Sequence, residues 1–189
     1  MFKIIEPQDY CYYRGRVDLF IELMQSRHSL PLSCEEKKLS TFIVGQSDDG
    51  HVYGGAILQH QHVSELPDSI EPVISAVIPN QEYVWAATFS CCENQGDTSF
   101  FYRDLLKQFT AFGKEKNSRF LCLSLSPEEY LRTKKQEGWP YVLEVAPQDT
   151  AEGIFHGILS LSGTTGTKRD TSTRRLMVPS ALTKRPLAA

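Results

Sequence analysis

Tyr83-Val84-Trp85-Ala86-Ala87-Thr88-Phe89 is followed by a turn at Asn94-Gln95-Gly96-Asp97 and then by Phe101, Leu105, Phe109 and Phe112 at helical spacing. Phe120-Leu121-Cys122-Leu123-Ser124-Leu125 comes next. The first run is apolar, of strand length, and carries valine and three aromatics. Asp97 or Thr98 can cap the helix, and its phenylalanines form one buried stripe that breaks near Asn117. The last run is a second strand. A strand, a long helix and another strand in that order predict a crossover within one sheet.

Downstream, Ser126 can cap a short helix with Pro127 as its first residue and Glu128-Glu129 on the positive end of its dipole. Gly138 suits a left-handed stop, and residues 139–145 and 154–161 read as two closing strands. Upstream, Tyr13, Val17, Phe20, Ile21 and Met24 mark a helix over residues 9–27, ended by Pro31. Residues 41–44 and 51–58 read as a hairpin around Asp48-Asp49-Gly50. Residues 60–80 hold three prolines around one β-prone run, residues 73–78. A meander followed by crossovers implies a mixed sheet with helices on both faces.

At 189 residues the chain suits one core. No run approaches the roughly 18 apolar residues of a membrane span. The N-terminal Met1-Phe2-Lys3-Ile4-Ile5-Glu6-Pro7 lacks the long apolar stretch and cleavage site of a signal peptide. Five cysteines without a Cys-x-x-Cys pair read as reduced thiols, so the expected compartment is the cytoplasm. The net charge is −3, unevenly placed. From Gly163 onward Lys168, Arg169, Arg174, Arg175, Lys184 and Arg185 face only Asp170, a segment of +5 on a body of −8. The division expected is a folded domain over residues 1–162 and a basic, low-complexity tail over 163–189. The tail reads as solvated or draped on the domain, and it is suited to an acidic partner. No aromatic interleaves its charges, which argues against nucleic acid.

This order of elements resembles the GNAT acyltransferase fold, an α/β/α sandwich on a mixed central sheet, here of six or seven strands. The likeness spans roughly residues 1–161. Within that superfamily the chain is most similar to acyl-homoserine-lactone synthases, or autoinducer synthases. Their first helix carries Arg and Phe four apart, as Arg16 and Phe20 do; their acidic cluster begins where Glu35 stands; their central strand ends in Phe, here Phe89; their last helix ends in Gly-Trp-Pro, here Gly138-Trp139-Pro140. Lys37, Ser40, Ala56-Ile57-Leu58 and Trp85-Ala86-Ala87-Thr88 depart from that pattern. The groups that would hold S-adenosylmethionine are largely missing, which argues against a lactone synthase proper.

The resemblance implies an acyl donor, either acyl-CoA or the phosphopantetheine of an acyl-carrier protein, an amine acceptor and no metal. An acidic carrier protein is the partner the basic tail would suit. The donor would lie against Phe89, Ser90 and Cys91, with its phosphates near Gln95, Gly96, Thr98 and Ser99, although Asp97 would repel them and the glycine spacing differs. Arg16, Phe20 and Trp139 would line the substrate side. The family's acid, a Tyr four residues before the helix-ending Gly, is replaced by Lys134; Tyr130 one turn earlier and Glu35 are the candidate acid and base.

Each residue also has a structural reading: Tyr130 as a packing ring, Glu35 as part of an exposed helix start, Arg16 as a surface ion-pair residue, Cys91 as an inert buried thiol. His51, His60 and His62 read as solvated hairpin residues, since no third ligand has a suitable spacing. The rival function is a binding protein that kept the scaffold and lost the site. An open cleft beside Phe89 favours the enzyme, and filling of that cleft by Trp85, Phe89 or Trp139 favours the rival.

Overall fold

The computed structural model describes residues 1–25, 32–66, 71, 74, 78, 80–91, 99–136, 138–145 and 153–161. Among these, seven strands form one mixed sheet: β1 (Phe2–Ile5), β2 (Thr41–Gln46), β3 (Val52–His62), β4 (Tyr83–Cys91), β5 (Phe120–Leu125), β6 (Tyr141–Val145) and β7 (Phe155–Ser160). Helices α1 (Tyr10–Gln25), α2 (Cys34–Leu39), α3 (Ser99–Glu115) and α4 (Pro127–Lys135) accompany them. The strand order is β1-β2-β3-β4-β5-β7-β6. Among the described strands only β4 and β5 pair in parallel, through the crossover that contains α3.

Strand alternation divides the core into layers. On one face Ala56, Leu58, Ala87, Phe89, Leu121, Leu123, Phe155 and Leu159 meet Phe101, Tyr102, Leu105, Phe109 and Phe112 of α3. On the other, Phe42, Val44 and Ile57 meet Val17, Phe20, Ile21 and Met24 of α1. On that same face Cys122, Leu143, Val145 and Ile158 are covered by Leu66, Ile74 and Ile78. Each fully buried large side chain of α3 contributes roughly 1.5–3 kcal/mol by leaving water.

The sequence reading ends the second hairpin strand at residue 58, whereas β3 runs to His62; the structure differs from it in two further places. The first element is not α1 but the edge strand β1, whose Ile4 pairs with Ile43; four residues are too few to display an alternation. Within the β-prone run over residues 73–78, the Ile78 N–H bonds to the Ile74 carbonyl at 2.7 Å, a helical contact. Ile74 and Ile78 are both buried against Cys122, Leu143, Val145 and Ile158. Gly138 does take the left-handed conformation expected of it, with φ 95°.

Candidate functional site

The parallel pairing of β4 with β5 is brief: Ala86 stands opposite Cys122 and Ala87 opposite Leu123. Beyond these, β4 stays paired to β3 as far as Cys91 opposite Gly54, and β5 stays paired to β7 as far as Leu125 opposite Phe155. The two strands are thus held from their outer sides and part from each other. The edge of β4 over residues 89–91 faces the gap. Because backbone direction alternates, the amides of Phe89 and Cys91 point to the same side.

Helix α4 aims a carboxylate at that edge. Glu129 Oε1 accepts from the Cys91 N–H at 3.1 Å and from the Ser90 hydroxyl at 3.1 Å, and Oε2 accepts from the Tyr102 hydroxyl at 2.5 Å. Glu129 is 3% exposed, and Ser90 and Tyr102 are fully buried. Arg132, one turn along α4, holds Glu128 and brings Nη1 to 3.7 Å from Glu129 Oε1. That Nη1 is buried and has no hydrogen-bond partner among the described residues. Burial, and then the charge of Glu129, push the Tyr102 phenol well above its ordinary range, so it stays a neutral donor.

Aromatic rings wall the α3 side of the gap. Trp139 lies 5.4 Å from Phe89, 6.4 Å from Tyr102, 6.4 Å from Phe109 and 6.0 Å from Tyr141 between ring centroids. Trp85 is turned away, edge-on to Phe112 at 4.8 Å. On the α1 side the gap is bordered by polar groups. Thr88 of β4 and Ser124 of β5 are half-buried there, and Ser124 Oγ lies 3.0 Å from Nδ1 of the buried His156 on β7.

Phe89, Ser90, Cys91 and Trp139 therefore converge on one gap. The remaining residues singled out from the sequence lie elsewhere. Phe20 is fully buried beneath α1, its ring against Gly55. Arg16 is half-buried on α1, beside the Tyr13 ring at 5.6 Å. Glu35 is exposed on α2, which begins with a capping box between Ser33 and Glu36. The ring of Tyr130 stacks on Phe155 at 3.8 Å, and its hydroxyl donates to Glu144 at 2.8 Å. Ser99 opens α3, while Gln95, Gly96 and Thr98 lie outside the described residues, as does the tail from 162 onward. His60 stacks on Tyr83 at 5.4 Å and lies tilted against Trp85 at 4.9 Å.

The sequence reading passed over Glu129, Tyr102, Arg132, Ser124 and His156. Ser126-Pro127-Glu128-Glu129 has the Ser-x-x-Glu spacing of a capping box, and the cap half is real, since Ser126 Oγ accepts from the Glu129 N–H at 3.2 Å. The Glu129 side chain, however, is spent across the gap. The available signal was Tyr102: it lies on the same stripe as Leu105, Phe109 and Phe112, and a tyrosine buried there needs a partner for its hydroxyl.

No family model and no curated protein matches the chain. Solved structures do. A CoA-dependent acyl-homoserine lactone synthase, MesI, superposes with a TM-score of 0.56 at 14% identity over 86% of this chain and 89% of that one. TofI in a ternary complex with an inhibitor and MTA gives 0.51 at 14% identity over 85% and 91%. Arabidopsis thaliana NAA60 in complex with acetyl-CoA gives 0.50 at 11% identity over 84% and 96%. At such identities the likeness speaks for architecture, and the seven-stranded mixed sheet with its parted β4 and β5 agrees with it. The chain has the GNAT fold.

Proposed function

We propose that the protein is an acyltransferase that moves an acyl group from a carrier thioester, acyl-CoA or acyl-carrier protein, to an amine. The observation that carries the reading is the parting of β4 from β5, which leaves the β4 edge over residues 89–91 facing a gap inside a GNAT sheet. A pantetheine arm has amide groups that can bond to such an edge as an added strand does. The acyl chain would lie against Phe89, Tyr102 and Trp139. The amine would approach from the side of Thr88, Ser124 and His156. Its nitrogen attacks the thioester carbon; the C–S bond breaks and an amide forms. The proton shed by nitrogen would pass through Ser124 Oγ to His156 Nδ1, and the thiolate leaves with a proton returned to it. Much of the acceleration in this reading comes from holding donor and acceptor together.

A cytoplasmic setting with reduced thiols suits such a donor, and the basic tail suits an acidic carrier protein. The test is calorimetric titration with acetyl-CoA and with an acyl-carrier protein. Binding tighter than about 1 mM to either is expected. Absence of binding by the wild-type protein and by Glu129→Ala alike would sink the reading.

A second reading is a GNAT-fold binding protein without catalysis. It is favoured by the Glu129 carboxylate, which occupies the Cys91 amide, and by the Trp139 ring, packed on Phe89 at the wall of the gap. Such a protein would bind no thioester even after Glu129 is removed.

A further inference from the structure

A glutamate at the third position of a helix ordinarily serves its own cap, where water reaches it. Glu129 instead crosses to another strand and is buried there. The donor it takes from β4 is the amide of Cys91, beyond the last residue that β5 pairs. A pantetheine arm lying in the gap needs such edge amides. Ligand and carboxylate are therefore rivals for one hydrogen bond. A buried carboxylate cannot leave its donors without another partner, because desolvation of an unpaired charge costs several kcal/mol. A second hydrogen-bonding seat stands beside it: Arg132 Nη1 is buried, already ion-paired with Oε1 at 3.7 Å, and makes no hydrogen bond among the described residues.

From this we infer that Glu129 is a latch on the donor channel: it closes the gap by occupying the Cys91 amide, and donor entry moves its carboxylate to Arg132. The inference rests on the acyl-donor reading of the gap. Ser90 and Tyr102 hold the closed position, and Arg132 provides the open one. Weakening the first pair should favour the donor, and removing Arg132 should disfavour it. This opposition sets a latch apart from a merely structural buried network, in which every substitution weakens binding or leaves it unchanged.

The experiment is calorimetric titration of acetyl-CoA and octanoyl-CoA into the full chain and into Glu129→Ala, Tyr102→Phe and Arg132→Ala, each shown to be folded by circular dichroism. Glu129→Ala is expected to bind at least about tenfold more tightly than wild type, the change set by one hydrogen bond to a charged group. Tyr102→Phe, which removes one of three bonds, should tighten binding less, and Arg132→Ala should weaken it. If Glu129→Ala does not fold, Tyr102→Phe decides by the same sign. Binding of equal strength by all four proteins, or weaker binding by Glu129→Ala and Tyr102→Phe, overturns the latch and leaves the donor reading standing. No binding by any of them up to about 1 mM overturns both.

Discussion

Glu129 Oε1 and the backbone nitrogen of Cys91 lie 3.1 Å apart, joining the first turn of α4 to the end of β4 beyond its pairing with β5. The same carboxylate satisfies the buried hydroxyls of Ser90 and Tyr102. Removing it strands three donors. Glu129→Ala should therefore lower stability by about 2–4 kcal/mol, partly offset because a buried charge is also removed. Glu129→Gln, which can still accept from Cys91, should cost about half as much. Urea denaturation of the two variants checks this, and an equal loss in both would mean that charge rather than connection is what matters.

Phe20 and Gly55 form a second close contact. A Cβ on Gly55 would stand 2.2 Å from the Ile43 carbonyl oxygen and 3.0 Å from the Phe20 ring. The backbone contact cannot yield as a flexible side chain would. Gly55→Ala should cost about 2 kcal/mol or more through overpacking. Denaturation midpoints measure it. A neutral substitution would mean that β2 and β3 can separate without penalty.

The thiol of Cys122 is pushed up to about 12 by burial. Tyr141 is raised by burial despite its bond with Thr133, and Tyr102 by burial and the nearby Glu129. Above about pH 9 the unfolded chain gives up the Cys122 proton while the folded protein keeps it. The unfolded state then binds fewer protons, so stability falls as pH rises, by up to about 1.4 kcal/mol per unit for each such group. The fall ends for Cys122 once its folded thiol titrates near 12. Urea midpoints between pH 7 and 11 should show the decline, and Cys122→Ala should flatten it. An unchanged slope in that variant would remove Cys122 from the account.

Deleting residues 163–189 should leave the core intact, since ordering costs roughly 1–2 kcal/mol per residue in the backbone alone and the segment offers few apolar side chains to offset it. The melting temperature should move by no more than about 3 °C; a fall of about 10 °C would place the segment in the core. Binding to an acidic carrier protein should weaken on deletion and on raising salt, because exposed charges are screened beyond about 8–10 Å.

The sequence exposes the scaffold more readily than the site. The stripe of α3 is periodic over a full element and residues 83–89 and 120–125 are apolar runs of strand length, so the crossover at the centre of the sheet was legible. So were Pro127 after its Ser126 cap and the left-handed Gly138. The gap was not. Two parallel strands part after two paired residues because β3 and β7 hold them from outside, and such a relation between four strands has no local signature. Glu129 was hidden by a spacing that serves a cap equally well. Ser124 and His156 are 32 residues apart and meet only through the antiparallel register of β5 and β7. Phe20 kept its expected helix, but its burial against Gly55 makes it a core residue of α1 in the structure described.

A thioester arm bound as proposed lies along the edge of β4. Nitrogen-labelled protein titrated with acetyl-CoA reports on each amide in a two-dimensional NMR spectrum. The account predicts that the Cys91 and Phe89 amides shift most, together with residues of α4 around Glu129, while amides of α1 and of the β1–β2 edge stay in place. Shifts confined to α1, or absent around residues 89–91 while binding saturates, would contradict it.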